Sequence, residues 1–311
     1  MKNILLVSLL SCQRRLASKV KSWMPAFAGM TTGLFLSSFL ASPVYAYNSI
    51  GHKVVAQIAY DNLTPEAKGQ VETLITIVGQ FYSINSFVDG APWADWLKSD
   101  NVTAYNTWHY IDQPILEGGC DRCTVVNPET ENIVWAIGQS QQVLMTASST
   151  KYPQESNFEK SMFLLFFEHF VGDIHQPLHA VDMFSDNYPT GDQGGNLYPI
   201  DSDIANNLHS LWDKGAGVFS STSISDAQIV TLAAVIEKAY PESSLPEAKD
   251  LNPVDWAAES KDIAQNVVYT IPANTAPTAA YLHTARSVSE KQAALAGYRL
   301  AALLNQYFEY K

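Results

Sequence analysis

Between Glu168 and His179 the chain carries His169, Asp173, His175 and His179, three imidazoles and a carboxylate within eleven residues. His169 and Asp173 stand four apart, which on an α-helix puts them about 40° apart on one face. Pro177 biases Gln176 away from helical angles, so the helix is expected to bend or end there and to aim His179 at a different point. A second i, i+4 pair, His209 and Asp213, lies in Asn207–Asp213. Imidazole nitrogen with carboxylate oxygen is a donor set that suits zinc. Either pair alone is more often a surface contact between helical neighbours. Two such pairs, with His179 on its own turn, tip the reading towards metal. Asp95, His109 and His52 are further ligand candidates, each also readable as a satisfied core residue. His175, two residues past Asp173, is expected to point off the metal face.

The elements that must position these residues read as helices. Val54, Val55, Ile58 and Ala59 form an apolar stripe at helical spacing after His52. Thr64-Pro65-Glu66 starts a helix running to about Val78. Val88–Ser99 carries Asp95. Trp108–Asp112 is a short extended or turn segment, and residues 113–128 read as loop. Asn132–Ala147 and Phe158–Asp173 are two long helices, the second strongly apolar and central. Residues 180–203 are rich in Gly, Pro, Asp and Asn and are expected to form a long loop or small hairpin. Asn206–Asp213, Ser225–Tyr240, Pro253–Val268 and Ser287–Tyr307 complete the helices. No repeat or linker divides the chain, so the fold class expected is all-α, one mainly helical domain over residues 47–311.

Residues 1–46 contain Lys2, Arg14, Arg15, Lys19 and Lys21 and no acidic side chain. The apolar run 33–40 leads to Val44-Tyr45-Ala46, read as an export signal cleaved after Ala46 that leaves Tyr47 as the mature N-terminus, secreted or periplasmic. The leader is long and has an earlier apolar run, which leaves Met24 or Met30 as alternative translation starts. Neither apolar run, 4–10 or 33–40, approaches the roughly 20 residues of a membrane span, so no stable membrane association is expected.

The formal net charge of −12 becomes more negative once the basic leader is removed. That argues against gripping nucleic acid through a basic surface, but not against turnover of a phosphate ester at a metal site, where bound cations offset the charge locally. Cys120 and Cys123 remain after cleavage, and in an exported protein the pair is expected to form a small disulfide. Its loop-like flanks, Glu117-Gly118-Gly119 and Thr124, fit a redox motif less well, and a zinc ribbon would need a second cysteine pair.

Taken together, Gly51-His52, Trp93-Ala94-Asp95, His109–Asp112, His169–Asp173 with Gln176–His179, Gly194-Gly195-Asn196 and Asn207–Asp213 resemble, in order and approximate spacing, the zinc-dependent nucleases of the S-one/P-one type. The likeness runs from Tyr47 to Gly297–Ala301. It implies three zinc ions: one on Asp95, His109, His169 and Asp173, and one on His179, His209 and Asp213. The third would sit on His52, a bridging Asp173 and the amino and carbonyl groups of residue 47, a position typically tryptophan in the family and Tyr47 here. It further implies a hydroxide bridging the Asp173-linked pair as nucleophile, Asp112 orienting it, Lys98 at the phosphate, Tyr110 stacking a base and Asn196 near the phosphate. Asp112 is also readable as a carboxylate holding a histidine, Lys98 as a solvated side chain, and Asn196 as turn chemistry.

The activity so implied is hydrolysis of single-stranded DNA and RNA, and of 3′-mononucleotides, to 5′-phosphates by a monomeric enzyme. The second aromatic of the base pocket is replaced by Ile204, so no base preference carries over. A zinc phospholipase C shares the helical three-zinc plan and is the runner-up; Asp112 and Gly194-Gly195-Asn196 favour the nuclease. A zinc-sequestering or adhesive protein without turnover is the third reading.

Overall fold

In a computed structural model, residues 48–309 are described, apart from residues 147 and 222. The leader, its cleavage point and Tyr47 lie outside the described residues. Helix α1 (Ser49–Asp61) is capped by Asn48, whose side-chain oxygen accepts the Gly51 amide at 3.2 Å. Helix α2 (Pro65–Val78) is capped by Thr64, with Pro65 in its first turn, as the Thr-Pro-Glu pattern anticipates. The expected helix over 88–99 is instead two, α3 (Phe87–Gly90) and α4 (Trp93–Ser99). Pro92 between them has no amide to donate to the turn before it, so the helix restarts there.

Helices α5 (Ile133–Thr146) and α6 (Pro153–Ile174) follow, then α7 (Leu208–Asp213), α8 (Asp226–Ala239), α9 (Pro253–Asn266) and α10 (Ala279–Phe308). Two begin earlier than expected, α6 at Pro153 rather than Phe158 and α10 at Ala279 rather than Ser287. Their first turns are largely exposed and so lack the apolar periodicity that marks a buried helix. Pro153 at the start of α6 and Thr278, which accepts the Tyr281 amide at 3.1 Å before α10, set the true starts.

The segment 180–203 does not form a hairpin. Its first residues make strand β2 (Val181–Phe184), which pairs in parallel with β1 (Gln113–Leu116), Gln113 opposite Val181 and Leu116 opposite Phe184. Residues 113–116 are therefore a strand and not loop. The remainder of 185–203 is loop, closed by a bridge between Pro199 and Asn207. A parallel pair needs a long crossover, and here α5 and α6 lie within it.

Helix α6 carries the core. Leu164, Leu165, Phe167, Phe170, Val171 and Ile174 are each 0% exposed, each burial being favourable by about 1.5–3 kcal/mol. The half of α6 from Leu164 to Ile174 is buried on all sides, as a segment at the centre of its domain must be, and α6 packs against α2 and α5. A second apolar cluster joins Leu178, Val181, Met183, Leu208, Leu211 and Trp212. The end of α6 and the turn after it lead from the first cluster to the second, and the histidines lie along that passage. Among the described residues no helix is long and apolar enough to cross a membrane.

Candidate metal centre

Asp173, near the end of α6, is fully buried and its two oxygens face different partners. Oδ1 lies 3.2 Å from His52 Nε2 of α1. Oδ2 lies 2.9 Å from His109 Nδ1 and 3.2 Å from His169 Nε2. Asp95, brought in by the first turn of α4, places Oδ1 3.7 Å from His169 Nε2 and 3.9 Å from His109 Nδ1. The expected quartet Asp95, His109, His169 and Asp173 is thus drawn together, with His52 beside it and stacked on His169 at 3.9 Å between ring centroids.

The other expected set also converges. Asp213 Oδ1 lies 3.5 Å from His209 Nε2 and 3.9 Å from His179 Nε2. His179 sits in the 3₁₀ turn Pro177–Ala180, away from the axis of α6, as the proline predicts. Three groups of buried ligand atoms could each hold a metal ion: His109, His169 and Asp173; His179, His209 and Asp213; and His52, Asp95 and His169. The last grouping sets His52 with Asp95 and His169, where the resemblance pairs it with Asp173 and residue 47. Tyr47 itself lies outside the described residues.

Three rings are oriented by the same device. The Nδ1–H of His169 donates to Ala91 O, that of His179 to His109 O and that of His209 to Gly194 O, each at 2.7 Å. This fixes the tautomer and turns Nε2 inward, the arrangement a metal-ligating imidazole needs. Nε2 of His179 and of His209 and Oδ1 of Asp95 are buried without hydrogen-bond partners. Buried polar atoms left so are costly, and a divalent cation coordinated by them would remove that cost. The donor set fits zinc.

The electrostatics agree. Burial, with the neighbouring His169, lowers the pKa of His52 to about 4. Burial, with His179, lowers that of His209 to about 3, and burial lowers His179 as well. These imidazoles are neutral, the form that binds metal. Burial also disfavours charge on His169, but Asp173 and Asp95 outweigh it and raise its pKa to about 9. A metal ion held by these residues would take the place of that proton.

His109, His179 and His209 open onto a cavity of about 340 Å³ that is lined also by Lys98, Tyr110, Asp112, Asp182 and Asn196. Asp112 is pushed up to about 7 by burial and by Asp182, Asp192 and Glu129. Burial lowers the pKa of Lys98, opposed by Asp95, Asp173 and Asp213. The Asn196 amide donates to Gln193 O at 2.8 Å within its turn. Gly194, at φ +59°, passes so close that a Cβ would lie 2.5 Å from Leu178 O. This approach brings its carbonyl to His209.

Two further carboxylates, of which Asp182 lines the cavity, escaped the sequence reading. Asp182 accepts the Gln193 amide at 2.8 Å, and Asp192 accepts the Met183 amide and the Tyr269 hydroxyl. They hold the loop that presents Asn196; in sequence they are two more acids in a turn-rich segment. His175 is off the metal face, as expected, receiving Arg299 Nη1 on Nε2 at 2.9 Å, and His283 is exposed. Cys120 and Cys123 form the expected disulfide.

A model of the S1/P1 nuclease family matches residues 47–309. The chain is similar to Endonuclease 4 of Arabidopsis thaliana, 27% identical over 285 residues that cover 84% of this chain and 89% of the relative. It is similar to Nuclease S1 of Aspergillus oryzae, 24% identical over 284 residues, 86% and 93% of the two chains. With Nuclease P1 of Penicillium citrinum it shares 25% identity over 282 residues, 84% of this chain and 97% of the relative.

Proposed function

The chain belongs to the S1/P1 nuclease family, and from that membership we propose that it is an exported zinc-dependent phosphodiesterase. Its substrates are single-stranded DNA and RNA and 3′-mononucleotides, its products 5′-phosphates. The observation that carries the reading is the clustering of buried His and Asp side chains into three groups, two of which place histidines (His109, His179 and His209) on the wall of one cavity.

Asp95, His109, His169 and Asp173 would hold one zinc, and His179, His209 and Asp213 a second. His52, Asp173 and the amino and carbonyl groups of Tyr47 would hold the third. Zinc bound there supplies an activated water and neutralises charge on the phosphoryl oxygens. Asp112, on the cavity wall, would orient that water, and its carboxyl, pushed up to about 7, is suited to accept a proton from it. Lys98, also on the cavity wall, would meet the phosphate; burial lowers its pKa, opposed by Asp95, Asp173 and Asp213. Tyr110 offers its ring to a base, a contact indifferent to sequence and open to unpaired strands. Asn196 hydrogen-bonds near the phosphate.

The mature protein begins at Tyr47, is secreted or periplasmic and acts as a monomer over the domain 47–311. The test is hydrolysis: zinc-loaded mature protein should release 5′-nucleotides from RNA and denatured DNA. Failure to do so with zinc bound removes the reading, and phosphocholine release from phosphatidylcholine would replace it with the phospholipase.

A further inference from the structure

Gln176 separates α6 from the turn that carries His179, and it is 0% exposed. Its backbone, at φ −84° and ψ 116°, adopts the extended conformation that the following proline imposes. Its N–H donates to Asp173 O at 2.9 Å, and its carbonyl accepts His179 N–H at 3.0 Å. Its side chain reaches a third candidate ligand: Nε2 donates to Asp213 Oδ1 at 2.6 Å while Oε1 accepts Leu178 N–H at 2.6 Å. The amide cannot be reversed, because a primary amide nitrogen has no lone pair to accept the Leu178 N–H.

We propose that Gln176 is a positioning residue for the metal held by His179, His209 and Asp213; this rests on the reading that this group binds a metal. The torsion that turns a carboxylate about its own axis is soft, so nothing local to Asp213 selects the plane of its oxygens. The Gln176 donor selects it, and the same side chain caps the turn that aims His179. One residue therefore sets the angle between two ligands that lie far apart in sequence. A carboxylate oxygen that accepts one amide hydrogen keeps a lone pair for a cation, so the hydrogen bond and the metal are compatible. Glutamine suits the position because it has both a donor and an acceptor; glutamate would keep the acceptor and set a carboxylate against Asp213.

Two variants separate positioning from simple capping. Q176E retains an oxygen for Leu178 N–H and removes the donor to Asp213, whereas Q176M retains the bulk and removes both bonds. In mature protein loaded with zinc, competition with a chromophoric chelator reads the affinity of each ion, and thermal melting of the metal-free protein reads the fold. The expected result is that both variants hold one zinc about 10–100-fold more weakly, the range for a lost outer partner of a ligand, with the other two unchanged. Adding D213N to Q176E should weaken that ion little beyond D213N alone, since the two act on one site. Wild-type zinc affinity in Q176E, with only a lower melting temperature in Q176M, would reduce Gln176 to a turn cap and overturn the proposal. Wild-type protein that holds no zinc at this group would overturn the metal reading itself, and the inference with it.

Discussion

Gly172 lies against the imidazole of His52: a Cβ at residue 172 would come within 2.9 Å of Nδ1 and 3.2 Å of Cε1. The glycine is inside α6, where alanine is intrinsically better by about 1 kcal/mol. Gly172→Ala should therefore leave a folded helix and displace His52 from Asp173 and from its stack on His169. Metal analysis should find about one ion fewer per chain, with circular dichroism unchanged. Full metal content in G172A would show that His52 is not a ligand.

Asp173 faces two groups at once, Oδ1 towards His52 and Oδ2 towards His109 and His169. Asp173→Asn should weaken two metal sites together, and Asp95→Asn fewer ions than that. Activity should fall by about 10³-fold or more in D173N, the scale of removing groups that act as a unit. The comparison of ion counts in the two variants is the check; equal losses would deny Asp173 its bridging position.

Asp112 carries a stability cost that its removal should release. Its carboxyl, held at about 7 against the usual 3.8, binds a proton in the folded protein where the unfolded chain has lost it. Stability therefore falls as pH rises from about 4 to about 7, and above that the full cost, on the order of a few kcal/mol, is present. Metal-free D112N should melt higher than wild type at pH 8, with the gain fading towards pH 4. Its activity should drop about 10²-fold or more with zinc content intact. In the wild type, kcat should rise with pH through a limb at or below about 7, since bound cations favour the ionised carboxylate, and D112N should abolish that limb. Zinc loss in D112N would recast Asp112 as a structural carboxylate.

Processing should control activity. Asn48 N donates to Asp213 O at 3.2 Å and Asn48 Nδ2 to Phe219 O at 2.6 Å, which fixes the start of α1 beside a candidate ligand. Protein beginning at Tyr47 should bind about one zinc more than protein with extra residues before it, and be much more active, because only the former has a free amine there. Equal zinc content and activity in the extended form would contradict this.

Two of the candidate ligand pairs were legible in the sequence because their spacing is local. His169 with Asp173 and His209 with Asp213 share helix faces by arithmetic, and Pro177 announces the change of direction before His179. Asp95, His109 and His52 stood in the sequence only as candidates that could equally be core residues, and resemblance assigned them to sites, because their approach depends on packing between distant elements. What sequence could not show is non-local: the parallel pairing of Gln113–Leu116 with Val181–Phe184, which brings His109 O to His179 Nδ1, leaves no periodic trace in four-residue strands. The side chain of Gln176 and the carboxyls of Asp182 and Asp192 were hidden for the same reason. Their partners are backbone groups or residues of other segments, and their types are common in turns.

The central claim is that three His/Asp groups hold zinc for phosphodiester hydrolysis, and one combined measurement on mature protein tests it: zinc per chain by elemental analysis, alongside product release from RNA, denatured DNA and phosphatidylcholine. The account predicts about three zinc ions, 5′-phosphate nucleotides from both nucleic acids, no phosphocholine, and loss of hydrolysis when the zinc is removed. Undiminished hydrolysis after complete removal of metal, or zinc-loaded protein that releases no 5′-nucleotide, would contradict it.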